Sequence, residues 1–253
     1  MRKLFLAWQN PETRRWFPIG QLTFDGENYY FVYTHGVEQA QAESNFRLLH
    51  SYPELDRIYT SPEIFPLFSN RLMRTSRPDF VNYIESLNFP QGETHPITIL
   101  ARSEGRKATD TFEVFPDPER KEDGTYEIHF FVRGLRYMPE ASIERVNQLQ
   151  LKEVLYLMQD IQNTFDSNAL LLRTKKFHNL GYCPRYLTAD ISQLLKHNPR
   201  SILVEVEKVN LAPNPMQFRV LCKMQIKVED DFNFLAGEEY QPIVSPSLSL
   251  VSE

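Results

Sequence analysis

The sequence predicts an α+β protein in two parts. A small N-terminal antiparallel sheet with helices comes first, and a second, strand-rich part closes as a β-barrel with a short helix. Three observations predict this. Apolar runs alternate with turn residues over positions 1 to about 35, and helix-start signals follow at Ser61-Pro62-Glu63 and Arg77-Pro78-Asp79. A charged, Pro-containing stretch from Pro116 to Gly124 then separates a second series of short apolar runs. The expected parts are residues 1–120 and 126–232, with a flexible tail at 236–253 that lacks periodicity.

Leu4-Phe5-Leu6-Ala7-Trp8 is a β-prone run, and Asn10-Pro11-Glu12-Thr13 is turn chemistry. Trp16 to Phe24 reads as its partner, and Asp25-Gly26 as the hairpin leading into Tyr29-Tyr30-Phe31-Val32-Tyr33. From Ser61, with Ser as N-cap, the residues Ile64, Phe65, Leu67, Phe68, Leu72 and Met73 supply a helical apolar face, with Pro66 awkwardly inside it. A second helix follows Asp79, with Phe80, Tyr83, Ile84 and Leu87 at helical spacing. Asn88 to Gly92 is a loop, Ile97-Thr98-Ile99-Leu100 a short strand, and Arg102 to Asp110 a polar, basic loop.

Tyr126 to Arg133 starts the second part, and Ile143, Val146, Val154 and Met158 suggest one helix over Ser142–Met158. Asp160, Asn163, Asp166 and Asn168 then surround Phe165 in a polar cluster. Such residues bond their own backbone, which makes this a structured turn. Ala169-Leu170-Leu171-Leu172 suits a buried strand, and Asn179-Leu180-Gly181-Tyr182 a second one stopped by Pro184. Thr188 or Asp190 caps a short helix carrying Ile191, Leu194 and Leu195 and ending before Pro199. Ser201–Val206 and Phe218–Val228 are the closing strands.

Among 253 residues, 42% are hydrophobic and 13% aromatic, ample for real cores. No apolar run approaches the ~20 residues of a membrane span. Gln9 and Asn10 interrupt the first apolar segment too early for a signal peptide. Cys183 and Cys222 lack the spacing of a disulfide framework or zinc site. A cytoplasmic location is expected. The net charge of −5 is uneven: Ile128 to Lys227 holds fourteen Lys/Arg against eight Asp/Glu, a net +6, and the remainder is at −11. Phosphate contacts dominate nucleic-acid affinity, so the basic half is the candidate binder.

The ordered pieces of that half resemble the HIRAN domain, a small nucleic-acid-binding module found alone in bacteria and attached to eukaryotic DNA-repair translocases. The pieces are Asp160, Asn163, Phe165, Asp166, Asn168 and Ala169, then Gly181, Pro184, Arg185 and Leu187, with Val132-Arg133-Gly134-Leu135-Arg136-Tyr137 upstream. The resemblance covers about residues 128 to 230 and implies an OB-like β-barrel. It implies that Phe165 stacks on a base, that Asp166 accepts a hydrogen bond from a terminal 3′-hydroxyl, and that Asn163 shapes or lines the pocket. It further implies that Arg136 contacts phosphate, that Tyr137 offers a second stacking surface, and that Tyr182 lines the same groove. Lys175, Lys176 and Arg185 are backbone contacts by charge. Phe165 stands where Tyr is commoner in the repair branch, and Met138 where a second aromatic is frequent. From the residues alone, without the resemblance, the favoured reading is that Asp166 and Asn168 only build the turn and that Phe165 is core.

The first part is similar, more loosely, to the N-terminal subdomain of HipA-type persistence kinases. Trp16 to Tyr33 and Pro62-Glu63-Ile64-Phe65-Pro66-Leu67-Phe68-Ser69-Asn70-Arg71-Leu72-Met73 carry the likeness. No phosphate loop, catalytic loop or metal-binding Asp motif of a kinase is present. The likeness does not imply kinase activity; this part is expected to contact a protein partner or to brace the barrel.

His35, His50, His95, His129, His178 and His197 show no metal-ligand spacing. Asp117 with Glu119-Arg120-Lys121 is a faint nuclease-like pattern that reads as solvated linker, and Gly105-Arg106-Lys107 with Thr109 falls short of a phosphate loop. The expectation is a bacterial, non-catalytic protein without cofactor or metal. It would bind single-stranded DNA or DNA 3′ ends in a repair context. The alternatives are an interaction module of the toxin–antitoxin kind and, more remotely, a metal-dependent nuclease.

Overall fold

The structure, a computed structural model, describes residues 2–90, 92–228 and 231–245. The apolar runs at the start form β1 (Arg2–Gln9), β2 (Trp16–Phe24) and β3 (Tyr29–Tyr33) as the sequence predicts. Asp25 closes the β2–β3 turn by accepting the amides of Glu27 and Asn28, each at 2.8 Å. α1 (Gly36–Ser44) and β4 (Tyr59–Ser61) follow. The helix expected from Ser61 shrinks to a single turn, α2 (Pro66–Ser69). Ser61 is the last residue of β4, and Pro66 opens the helix rather than obstructing it, because the first helical position needs no N–H donor.

α3 (Phe80–Ser86) forms where Arg77-Pro78-Asp79 predicts a helix. The strand expected at Ile97–Leu100 is instead part of α4 (Pro96–Ser103). Pro96 sets the first helical position and the His95 ring accepts the Ile97 amide at 3.3 Å. Helical spacing then buries Ile97 and Leu100 together, which outweighs the β preference of isoleucine. β5 (Phe112–Pro116) ends this part of the chain.

β6 (Thr125–Phe131), a 3-10 turn at Leu135–Tyr137, α5 (Glu140–Val146), β7 (Val154–Gln159), β8 (Leu170–Arg173) and β9 (Asn179–Tyr182) come next. α6 (Arg185–His197), β10 (Ile202–Val209) and β11 (Val220–Lys227) follow. The single helix expected over Ser142–Met158 is therefore two elements. Val154 and Met158 are four residues apart and fit a helix, but Tyr156 between them is exposed too and Leu155 is buried, which is the period of a strand. α6 begins at Arg185, ahead of the expected Thr188 or Asp190 cap. Pro184 precedes it, and the Asp190 carboxylate accepts the Leu235 amide at 3.0 Å instead of capping.

The chain forms two compact units, each discontinuous in sequence. The first comprises Met1–Met73, His95–Asp117 and Ala236–Glu253, and the second Arg74–Thr94 and Pro118–Leu235. This division differs from the expected 1–120 and 126–232. The α3 segment belongs to the second unit: the Asn210 side chain donates to Ser86 O at 2.9 Å, Asn88 donates to Glu207 at 2.8 Å, and Tyr83 meets Phe218 edge-on. Residues 236–245 are not a free tail. The His35 amide donates to Gln241 O at 3.0 Å, the Ile243 amide donates to Tyr33 O at 2.9 Å, and Pro242 bridges Thr34. The rest of the expected tail, 246–253, lies outside the described residues.

In the first unit an antiparallel sheet runs β4-β3-β2-β1-β5. Leu4, Leu6, Ile19, Leu22, Phe31, Phe68 and Leu100 fill its core. The Tyr33 hydroxyl, buried there, donates to Tyr52 O at 2.7 Å and accepts the Leu49 amide at 3.0 Å, so its polar tip is satisfied.

In the second unit an antiparallel sheet runs β6-β11-β10-β7-β8-β9 and curls into a half-barrel with α6 beside it. Its core holds Ile128, Phe130, Leu155, Leu170, Leu172, Leu180, Leu187, Ile191, Val204 and Met224. Arg133, just beyond β6, and Tyr182 at the end of β9 exchange both backbone hydrogen bonds at 2.8 Å, which joins the two edges of the curled sheet. Gly181 makes that junction possible: its φ is 134°, and a Cβ there would lie 2.3 Å from Arg133 O. Among the described residues no helix is long and apolar enough to cross a membrane.

Candidate nucleic-acid interface

The β7–β8 turn is built by its own polar side chains. Asn163 Oδ1 accepts the amides of Phe165 at 3.0 Å and Asp166 at 3.1 Å, while its Nδ2 donates to Asp160 Oδ2 at 3.1 Å. Asp166 Oδ1 accepts the Asn168 amide at 3.0 Å. Asn163 thus shapes the turn from below, and its acceptor is spent on backbone. Phe165 is pushed out of the core and is 69% exposed, a large apolar ring with nothing of its own chain over most of its surface.

Arg185, the first residue of α6, clamps this turn. Its Nε donates to Asp166 Oδ2 at 3.1 Å, and its terminal nitrogen donates to Phe165 O at 2.8 Å. A carboxylate has about four acceptor sites, of which two are used here. Asp166 therefore keeps capacity for a further donor, and the Arg185 charge beside it offsets repulsion of a phosphate.

The edge-joining bridge brings the 3-10 turn to the same place. Gly134, at φ 71°, lets the backbone pass the Tyr182 ring, where a Cβ would sit 3.2 Å away. Tyr182 in turn donates its hydroxyl to Asp160 Oδ2 at 2.9 Å, and burial, followed by this bond, raises its pKa. Tyr137 is 72% exposed, with the Arg136 guanidinium 4.6 Å from its ring centroid and donating to its hydroxyl. Arg136, Tyr137, Asn163, Phe165, Asp166, Tyr182 and Arg185 are thus linked through Gly134 and Asp160. The sequence places Asp160 in the polar cluster of the turn but not among the binding residues, and its i, i+3 spacing to Asn163 is the signal for the bond they make.

Lys175 and Lys176 are not brought to this cluster. They are exposed on the β8–β9 turn, at the other end of β8. Lys176 lines a cleft of about 410 Å³ with Glu144, Glu153 and His178, and Arg145 pairs with Glu153 in its wall. Among the described residues no group of three His, Cys, Asp or Glu side chains is placed to hold a metal ion.

A comparison with curated proteins found no match. Two solved structures are similar at 18% identity. One is a protein from Lactobacillus plantarum, with a TM-score of 0.32, covering 41% of this chain and 97% of that one. The other is the HIRAN domain of human HLTF, with a TM-score of 0.31, covering 42% of this chain and 84% of that one. A family model supports nucleic-acid binding in general: the curled sheet, the clamped turn and α6 lie in a stretch that matches the HIRAN domain family at residues 125–229.

Proposed function

We propose that the second unit binds single-stranded DNA, and DNA 3′ ends in particular, without chemistry of its own. The observation that carries this reading is the exposed Phe165 ring held on a turn that Asn163 and Arg185 fix from two sides. Stacking of a base on such a ring contributes about 1–3 kcal/mol and tolerates any sequence. A ring fixed in advance loses little entropy on binding. Asp166, with acceptor capacity left, accepts a hydrogen bond from a terminal 3′-hydroxyl, a donor that an internal phosphodiester lacks. Arg136 neutralises a phosphate and Tyr137 stacks the next base.

The test is fluorescence anisotropy with three labelled probes: a single strand with a free 3′-hydroxyl, the same strand 3′-phosphorylated, and a blunt duplex. The reading expects the free hydroxyl to bind tightest and the duplex weakest. Equal binding of both single strands would leave stacking and remove the Asp166 role. Absence of binding at moderate salt would favour the second reading, an interaction module contacting a protein. The net −11 outside residues 128–227 motivates that reading.

A further inference from the structure

The face of the sheet that carries Tyr182 does not end at the clamped turn. Leu171 on β8 is opposite both Met158 on β7 and Tyr182 on β9, so these side chains share one face. Two residues along β8, about 6.8 Å further, Arg173 stands opposite Tyr156 on the same face. The Arg173 guanidinium lies 5.1 Å from the Tyr156 ring centroid and 4.7 Å from that of Phe177.

Phe177 is 77% exposed, more than any other large apolar side chain among the described residues. Its φ of 64° is a left-handed conformation that a bulky residue rarely adopts. The turn holds it there: the Phe177 amide donates to Thr174 O at 3.0 Å, Thr174 and His178 pair through Thr174 N and His178 O at 3.0 Å, and Thr174 Oγ1 accepts the His178 amide at 3.3 Å. The ring is projected outward by a defined backbone, with Lys175 and Lys176 exposed beside it. Flat apolar rings with an interleaved guanidinium and flanking ammonium groups match a polyanion that carries flat bases.

The geometry points to a second base-stacking subsite, formed by Phe177, Arg173 and Tyr156, that takes a later nucleotide of the same single strand bound at Phe165. Phe177 stacks the base, and Arg173 and Lys175 neutralise its phosphates. This rests on the single-strand reading above. The turns that carry the two subsites lie at opposite ends of β8 (Leu170–Arg173), a strand about 13 Å long, so a strand of DNA must be long enough to reach both.

The experiment measures anisotropy of the full chain with two oligothymidines bearing free 3′-hydroxyls. One is a dinucleotide, whose single internucleotide link is too short to span β8, and the other has about 12 nucleotides. Phe177→Ala and Tyr156→Ala are expected to weaken the longer strand at least about fivefold and to leave the dinucleotide unchanged, whereas Phe165→Ala weakens both. Wild-type affinity of both variants for both strands overturns the subsite while leaving the Phe165 reading intact. A change in oligomeric state of Phe177→Ala by sedimentation also overturns it, by assigning the patch to a second copy of the chain. If the wild-type protein binds neither strand, the single-strand reading fails and the subsite fails with it.

Discussion

Arg185 and Asp166 form a side-chain ion pair at 3.1 Å, and the same guanidinium bonds the carbonyl of Phe165 at 2.8 Å. One residue at the start of α6 therefore fixes both the carboxylate and the backbone that presents the aromatic ring. Side-chain exposures of 27% for Arg185 and 18% for Asp166 keep the pair partly shielded from water. Arg185→Ala is expected to lose about 1–3 kcal/mol of stability, read as a lower urea midpoint, and to weaken single-strand binding. Arg185→Lys should recover only part of both, since an ammonium cannot reproduce the forked geometry. Full recovery by lysine would show that charge alone matters there.

Phe165 separates folding from binding. Because the ring is 69% exposed, Phe165→Ala should change stability by no more than ~0.5 kcal/mol. Its loss of single-strand affinity should amount to about 1–3 kcal/mol. A large drop in melting temperature would mean that the ring packs in solution.

Arg136 lies over the Tyr137 ring on an exposed turn. If it contacts one phosphate, Arg136→Gln reduces the slope of log affinity against log salt by roughly one. An unchanged slope with weaker binding would assign Arg136 to orienting Tyr137 instead.

Much of the site is legible in the sequence because Asx chemistry is local. The roles of Asn163 and Asp166 as turn builders follow from their spacing to the amides they accept, and Phe165 stands out as a ring inside a polar cluster. Arg185 is legible as a cation but not as a clamp, because its partners lie about twenty positions away across a strand pair. The fold divides in the same way. β1 to β3 announce themselves by alternation and turns, whereas Ile97–Leu100 reads as a strand until Pro96 and His95 are seen to start a helix. Val154 and Met158 fit both periods, and only the exposure of Tyr156 between them decides. Tyr156, Arg173 and Phe177 escape sequence reading altogether, since strand register alone brings them together.

Gly181 is expected to tolerate no side chain. A Cβ would collide with Arg133 O at 2.3 Å, in a backbone region that already disfavours alanine. Gly181→Ala should break the Arg133–Tyr182 bridge and cost about 1–3 kcal/mol or more, seen as a lower thermal midpoint. Retained wild-type stability would show that the edges of the sheet are not joined there in solution.

Cys183 and Cys222 are both buried, and burial pushes both thiol pKa values well above the usual thiol range. The native protein is expected to be inert to a thiol reagent at neutral pH and to react at both cysteines once unfolded. The sign of the pH effect follows. Below the ordinary value of about 9 both states hold the protons, and above it only the folded state does, so stability falls as pH rises. The limit is about 1.4 kcal/mol per pH unit for each thiol. Replacing both cysteines by alanine should flatten that alkaline decline.

Neither unit is a single uninterrupted stretch, and this affects the order in which the protein can be completed on the ribosome. The sheet of the first unit is made early, but Pro242 and Ile243, which pair with Thr34 and Tyr33, emerge only after all the half-barrel strands. Conversely, α3 is synthesised ahead of β6, β10 and β11, and its contacts with Asn210 and Phe218 form only once those residues have emerged. Each unit contains a piece made at the wrong time for the other, so synthesis from one end leaves both open until the last strand and the closing segment have appeared.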